Sequence, residues 1–387
     1  MSTSLSELTI WHRNLLGEPV YDKEFMSYFG ASGAWQISRH KDVEAVLSDH
    51  QTFSSEYMPK QDDNIFTRNL NLADPPRHKL LRSLATKAFS PAIIAQSESW
   101  ITQQCEELLA PWLAGGEIDF VNDFALLIPH RVISKILGVP DHDHEQVRVW
   151  ITAVAGDPRE IGMEIFGRSM QEMSVFFGEL IKERTARPQA DLISHLITAE
   201  ADGQRLEHLD IIAMCVAIFL GGYETTKSSL ANALFVFTEF PEIQQHLAAN
   251  PGDIPKAVTE ALRLLSPVRG FPRIATRDVE LSGQQIKKGD LVNTWISTAN
   301  RDHDVFPAPD VFDLNRPNLT QVMNFGHGIH YCLGAPLARV ETRIAFTVLF
   351  SKVKNIRVKD KSQLQLDKSS LVYSLKGLPV LFDTVKP

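Results

Sequence analysis

One ten-residue stretch, Phe325-Gly326-His327-Gly328-Ile329-His330-Tyr331-Cys332-Leu333-Gly334, limits what this chain can become more than any other. Gly326, Gly328 and Gly334 predict turn conformations closed to residues that carry a Cβ. They let the backbone pass close to a flat ligand, and Phe325 supplies an aromatic wall. The run Ala335 to Glu341 reads as a helix with Pro336 in its first turn, so Cys332 stands at a helix N-terminus. There a thiol loses its proton more readily, and amide N–H groups tune the metal that a thiolate binds. The competing reading is a buried cysteine packed as a small apolar side chain, as most lone cysteines are. Two glycines and a histidine at these offsets weigh against it.

At 387 residues the chain exceeds the size at which one hydrophobic core usually stops growing, yet no linker, low-complexity segment or internal repeat divides it. Charged residues make up 22% and hydrophobic ones 44%, an ordinary globular balance, and a net charge of −8 argues against general nucleic-acid affinity. Cys105, Cys215 and Cys332 are too few and too scattered for a disulfide framework, which fits a reducing compartment. Met1 to Glu7 shows no secretory pattern. The longest apolar run, Ile211 to Leu220, falls short of the ~20 residues a membrane span needs and reads as a buried core helix. A cytoplasmic, monomeric protein without a membrane anchor is the expectation.

Helical periodicity dominates. It predicts a short helix at 42–47 and longer ones near 77–89, 93–113, 123–137, 142–154, 165–187, 190–200, 208–238, 241–249 and 253–265, then the helix after Cys332. Strand patterns are few: Ala34–Ser38, Val279–Leu281, Leu291–Trp295, and a pair near 371–373 and 379–382.

Four further motifs stand out. Glu260 and Arg263, three apart, share one helix face, which taken alone is an everyday ion pair. Gly221-Gly222-Tyr223-Glu224-Thr225-Thr226 interrupts the apolar helix with residues that weaken it. A local bulge or widened turn explains such a weakness, since bulges collect at functional sites. A glycine pair allowing close helix packing is the other reading. Asp74 can cap a helix whose first turn holds Pro75 and Pro76, with His78 and Arg82 aimed at one acceptor. Last comes Arg273, in the stretch Pro267 to Ala275.

Taken together these residues resemble the cytochrome P450 family, in particular its soluble bacterial members. The F-G-x-G-x-H-x-C-x-G loop is matched at every fixed position, and the motifs run in family order from about residue 74 to 345. The resemblance implies a mainly α fold: a helical bundle around haem, with a small segregated β-rich region near 30–60, 270–300 and 365–387. The chain, 1–387, would then be a single domain. It implies haem b, iron protoporphyrin IX, with the Cys332 thiolate as the iron ligand. Phe325, Gly326 and Gly334 would line its cysteine face. His78, Arg82, Arg273 and His330 would bind its propionates, where the planar fork of arginine suits a carboxylate. Glu260 and Arg263 would lock the region beneath the haem. Thr225 would hold the activated oxygen and its water, while Glu224 relays protons.

The implied activity is O2-dependent hydroxylation or epoxidation of a lipophilic small molecule, in secondary metabolism or in xenobiotic or lipid oxidation. No flavin fingerprint or iron–sulfur cysteine cluster is present, so an external ferredoxin and ferredoxin reductase are implied. Arg77, Lys79, Lys87, Arg339 and Arg343 are the expected docking cations. The substrate pocket would be walled by the loop after Phe53, the 142–187 helices, Ala217, Leu220, Gly221, Val268, Arg269, Phe271 and Val372. Arg269 is expected to face solvent or a protein acid, because a charge facing apolar walls is costly unless paired. Contact with a substrate acceptor is its alternative. A peroxygenase or oxidative-coupling enzyme, or a non-catalytic haem sensor, are the competing functions.

Overall fold

The protein is described by a computed structural model covering residues 15–25, 32–58, 65–86, 89–201, 203–366 and 372–385. Its helices are α1 (His40–Ser48), α2 (Arg77–Thr86), α3 (Pro91–Leu109), α4 (Leu127–Leu137), α5 (His144–Ala155), α6 (Pro158–Ile161) and α7 (Met163–Ala186). There follow α8 (Leu192–Thr198), α9 (His208–Glu239), α10 (Pro241–Ala249), α11 (Ile254–Leu264), α12 (Ile296–Ala299) and α13 (Ala335–Lys352). The segregated sheet joins β1 (Val20–Asp22), β2 (Ala34–Ile37) and β3 (Phe53–Ser54) to β7 (Phe271–Ala275) and β10 (Leu291–Thr294) in the order β1-β2-β10-β7-β3. A second sheet sets β12 (Pro379–Thr384) between β4 (Glu117–Asp119) and β11 (Val353–Val358), and two hairpins stand apart, β5 (Glu200–Ala201) with β6 (Gln204–Arg205) and β8 (Val279–Leu281) with β9 (Gln284–Ile286).

The helical core surrounds α9, whose buried residues include Phe219, Tyr223, Phe235 and Phe237. The helix is long and apolar enough to cross a membrane, but here its apolar surface packs inside the protein. It starts at a reciprocal cap, where Glu207 accepts from the third helical amide and Asp210 accepts from the Glu207 amide. Buried Asp210 also receives Arg68 at 2.9 Å and Arg77 at 2.6 Å, binding the start of α2 to the start of α9. A smaller apolar cluster, with Ile37, Phe53 and Val292, sits under the first sheet.

Several local expectations need correction. The pattern Gly221 to Thr226 carries no bulge: α9 runs unbroken through it. Gly222 is there for packing, since a Cβ would lie 2.5 Å from the Ile133 side chain on α4. Asp74 does not cap α2. Its carboxylate accepts instead from the Ser54 hydroxyl (2.5 Å) and the Ser55 amide (3.1 Å), and the helix begins at Arg77, after the proline pair. The strand at 379–384 pairs with β4 and β11, not with the 371–373 segment; Val372 makes an isolated bridge to Val268. Residue 371 lies outside the described residues. Gly326 (φ +73°) and Gly328 (φ +70°) are left-handed as expected, and a Cβ on Gly328 would meet the Leu47 carbonyl at 2.3 Å. Gly334 is not left-handed: its φ is −83°.

A polar knot ties α11 to the long loop that leads to Cys332. Glu260 and Arg263 are fully buried and bidentate, at 2.8 and 2.9 Å. Arg316 joins the same carboxylate at 2.9 Å, and the Asp313 amide donates to it at 3.0 Å. Arg263 spends its other donors on the carbonyls of Asn300, Pro309 and Val311. Glu260→Ala would strand two guanidinium groups in the core, and breaking a buried pair costs about 3–5 kcal/mol. Arg263→Ala leaves Arg316 to neutralise Glu260, so it should cost less. Denaturant unfolding of the two variants, with haem content measured alongside, checks this order.

Candidate functional site

The cysteine loop folds as a tight hairpin. The Cys332 amide donates to the Phe325 carbonyl at 2.9 Å, and the Gly326 amide donates to the Met323 carbonyl at 2.9 Å. The chain then enters α13 with Gly334 at its N-cap and Pro336 in its first turn. The amides of Gly334 and Ala335 donate to the Cys332 sulfur. Burial nevertheless outweighs them, together with the positive charges of Arg82 and Arg339, and holds the thiol pKa above its ordinary value. A cation directly over the sulfur is what this pocket needs to keep a thiolate. Gly334 lines the cavity, and a Cβ there would meet only the Cys332 sulfur, at an ordinary contact distance of 4.0 Å, so sterics do not demand glycine at this position.

Cys332 opens into a cavity of about 2030 Å³. Ordinary small-molecule pockets occupy roughly 300–1,000 Å³, so this one has room for a large planar group and a substrate together. Two arginines and two histidines gather at it. The rings of His78 and His330 are 4.3 Å apart, and Arg82 and Arg273 line the cavity beside them. Burial, with the positive charge of Arg273, His78 and Arg82, pushes the His330 pKa down to about 3. Burial likewise pushes Arg273 down to about 10, and burial and Arg82 lower His78. The Arg273 guanidinium donates to the carbonyl of its own neighbour, Pro272 (2.8 Å), and buried His78 Nε2 has no partner among the described residues. Two arginines beside two histidines that burial and these charges keep neutral, one of them with an unused ring nitrogen, fit a ligand that brings two carboxylates. His330 is steered by Ser55, whose hydroxyl is 2.9 Å from Nε2. Asp74, through the Ser55 amide, holds that serine.

Above Cys332 the wall is α9. Ala217, Leu220, Gly221, Glu224 and Thr225 line the cavity. No atom comes within 4 Å of a Cβ built on Gly221, so the two glycines divide their roles: Gly222 admits α4 and Gly221 leaves the cavity wide. The Thr225 hydroxyl donates to the Gly221 carbonyl at 2.5 Å. Tyr223 is fully buried away from the cavity, with its hydroxyl 3.2 Å from that of Thr152 on α5. Val268, Phe271, Val372 and parts of α7 complete the lining. Arg269 does not line it: the guanidinium lies over the Tyr373 ring, 4.8 Å from its centroid. Two of the expected docking cations are engaged internally, Arg77 by Asp210 and Arg343 by Glu98 at 2.8 Å. Lys79 and Arg339 remain exposed, and Lys87 lies outside the described residues.

Three contributors escaped the sequence reading. Arg316 shares Glu260, and Lys227 pairs with Glu224 at 2.6 Å. Glu341 on α13 is fully buried, lines the cavity, and has one carboxylate oxygen without a partner among the described residues. A lone acid among the apolar positions of α13 was the one available signal for it.

A long central helix, a thiol at a helix N-terminus and a cationic cradle define a haem-thiolate protein. The family profile described as cytochrome P450 matches residues 163–250 and 254–378. Cytochrome P450 109 of Bacillus spizizenii is 34% identical over 374 residues, covering 94% of this chain and 91% of its own. The erythromycin C-12 hydroxylase of Saccharopolyspora erythraea is 34% identical over 356 residues, covering 90% and 89%. Cytochrome P450 CYP109Q5 from Chondromyces apiculatus superposes with a TM-score of 0.89 at 29% identity, covering 98% of this chain and 97% of that one. The chain belongs to the cytochrome P450 family. It is a haem b monooxygenase that uses O2 and electrons from redox partners to oxidise lipophilic molecules.

Burial pushes the Glu341 pKa from 4.5 up to about 8. The folded protein therefore keeps a proton that the unfolded chain releases. This contribution to stability is complete below about pH 4.5 and is lost progressively as pH rises to about 8. Glu341→Gln should flatten the fall in stability across that window, which thermal unfolding of the holoenzyme at successive pH values measures.

Proposed function

We propose that Cys332 is the axial ligand of the haem, that His78, Arg82, Arg273 and His330 hold its propionates, and that Glu224 and Thr225 serve the oxygen side. The observation that carries this reading is one sulfur, held by two helix-terminal amides, facing a cavity lined by Arg82, Arg273 and His330, with the unpartnered His78 ring beside them. The bound haem supplies reductive activation of O2 and insertion of one oxygen atom into the substrate, favoured by electron donation from a thiolate. The chain's own residues do the rest. Amides of Gly334 and Ala335 spread the sulfur's charge and keep it a ligand rather than a nucleophile. Phe325, with Arg339 stacked 4.6 Å above its ring, shields that face from solvent. Arg82 and Arg273 neutralise carboxylates that would be costly to bury alone. On α9, the Thr225 hydroxyl gives its proton to Gly221 and so offers its oxygen lone pairs to a donor in the cavity. Glu224 brings protons to the same wall.

The substrate we propose is a bulky lipophile of polyketide type. The support is the cavity's largely apolar walls and its size, together with the named activity of the Saccharopolyspora relative on erythromycin. For electron delivery we propose an acidic ferredoxin with its reductase, docking at Lys79 and Arg339 on the cysteine side. A single cytoplasmic domain and a monomer complete the proposal; the cavity lining drawn from both apolar clusters supports one unit.

The reduced carbonyl complex should give the Soret band of a thiolate-ligated haem, and Cys332→His should move it to that of a histidine-ligated one. A histidine-type band in the unaltered protein would overturn the reading. Glu224→Gln should leave that spectrum unchanged and slow product formation by about 10²-fold, the scale of a lost proton-transfer group. Turnover with the reductase system measures it. Reduction by ferredoxin should slow as salt rises, and Lys79→Glu should weaken the salt dependence.

A further inference from the structure

One wall of the cavity is a segment with little regular structure of its own. Ile65, Phe66, Asn69, Leu70, Asn71 and Leu72 line it, and only Leu70–Leu72 form a single 3-10 turn. Leu70 and Leu72 are buried in the main core, whereas residues 65–69 are half-buried. Charge ties that half-buried stretch down. Arg68 does not line the cavity; one of its nitrogens donates to Asp210 Oδ1 and to Glu207 Oε2, both at 2.9 Å, at the start of α9. A plain helix cap would need only Oδ2 of Asp210, which accepts the Glu207 amide at 3.1 Å. Oδ1 is given over to two arginines, Arg68 and, at 2.6 Å, Arg77. Burial would raise the Asp210 pKa, but Arg77 and Arg68 outweigh it and hold the carboxyl below its ordinary value. A cation at the first position of a helix opposes the helix dipole, so Arg77 is not there for the stability of α2 by itself. Its bond to Asp210 sets where α2 begins, and α2 carries His78 and Arg82.

We propose that Arg68 is a positioning residue for the substrate wall: its bonds to Asp210 and Glu207 hold residues 65–72 against the start of α9 and set how fast lipophilic molecules enter and leave the cavity. Arg77, on the same carboxylate, serves the cradle side, so two arginines divide one buried acid between substrate and haem. The proposal rests on the reading of the cavity as a haem and substrate pocket. Its physical basis is the contrast along the segment. Burial fixes Leu70 and Leu72, whereas the stretch that presents Ile65 and Phe66 to the cavity depends on directional bonds to a helix it does not belong to. The outer arm is open to solvent, since Glu207 is 71% exposed, and the inner arm is not, since Asp210 has no exposure. Salt therefore loosens the outer arm first. Removing Arg68 leaves Asp210 neutralised by Arg77, so no buried charge is stranded and the fold survives the change.

The test compares the parent holoenzyme with Arg68→Gln, Arg68→Lys and Arg77→Gln. Two readouts report on the wall: amide hydrogen exchange at residues 65–72, and stopped-flow binding and release of clotrimazole, a bulky azole whose imidazole ligates haem iron. Haem transfer to apomyoglobin reports on the cradle. In Arg68→Gln, exchange at 65–72 should quicken, and azole binding and release should both speed up about fivefold, the scale of a partly exposed ion pair. Their ratio should change little, haem transfer should stay at the parent rate, and Arg68→Lys should restore the parent behaviour. Salt should speed azole release in the parent more than in Arg68→Gln. Arg77→Gln should show the opposite split, with faster haem transfer. Parent-like exchange and azole rates in Arg68→Gln overturn the proposal, and so does haem transfer that rises equally in the two glutamine variants. Should Arg68→Gln fail to fold, Glu207→Gln keeps the cap and weakens only the outer arm, and unchanged exchange at 65–72 there overturns the proposal as well. A carbonyl spectrum of the wrong ligand type would sink the haem reading instead; the exchange measurement needs no ligand and still decides the role of Arg68.

Discussion

Everything on the cysteine side of this protein hangs from one buried carboxylate. Glu260 takes hydrogen bonds from Arg263, Arg316 and the Asp313 amide with no exposure to water. In so small a space the acid fixes the end of α11 and the loop from Asn300 to Arg316 that wraps it. That loop is then bound to the cysteine hairpin by side-chain amides. Asn300 donates to the Ser266 hydroxyl and to the Asn324 oxygen, and accepts from the Met323 amide at 2.7 Å. Asn324 lies directly before Phe325. The path from a fully buried ion pair to the sulfur is thus a chain of satisfied polar contacts, not an apolar contact surface. Apolar packing tolerates small sliding, whereas directional bonds among buried groups do not. A ligand that must meet a metal within tenths of an ångström gains from that rigidity.

The cavity above the hairpin is organised by charge. Arg82 and Arg273 collect beside His78 and His330, and the pKa of His330 is depressed first by burial and then by these neighbours. Such an arrangement is poor for the protein alone and good for a dianion. The sulfur shows the converse: its thiol pKa stays high until a metal cation arrives. Both ends of the site are therefore incomplete in ways that, on the proposed assignment, a haem with two propionates and an iron would complete together. Folding energy and cofactor binding are coupled by this design, since each costly charge is relieved by the ligand.

Motifs dense in unusual residues were legible in the sequence, and contacts built from ordinary ones were not. Gly326, Gly328, His330 and Cys332 announce themselves because backbone conformation and ligand chemistry restrict them to few residue types. The positions of α9, α11 and α13 followed from apolar periodicity. Arg316 and Lys227 escaped notice because a single basic residue looks the same whether it meets solvent or a buried acid across the fold. β4 and β11 were missed because each is completed by a distant partner, β12, so their short patterns carry little signal on their own. Asp74 misled for a similar reason. Its place before a helix favours a cap, but Ser54 and Ser55, twenty and nineteen residues earlier, offer donors that the fold brings closer.

The glycine pair shows how a motif can be recognised while its local physics is misjudged. Two helix-weakening residues side by side suggested a distorted backbone, yet α9 keeps its hydrogen bonding throughout. The cost in helix propensity, roughly 1 kcal/mol for each glycine, has to be offset by something other than a bulge. For Gly222 the offset is the approach of α4, where Ile133 occupies the space a side chain would take. That contact holds the far side of α9 rigid against the bundle. Gly221 faces the opposite way, and only because its neighbour is clamped can it leave the cavity open without letting the helix bend. Thr225 and Glu224 stand one turn beyond on the same clamped segment. The precision of the oxygen side therefore comes from the packing behind it, as that of the sulfur side comes from Glu260 beneath.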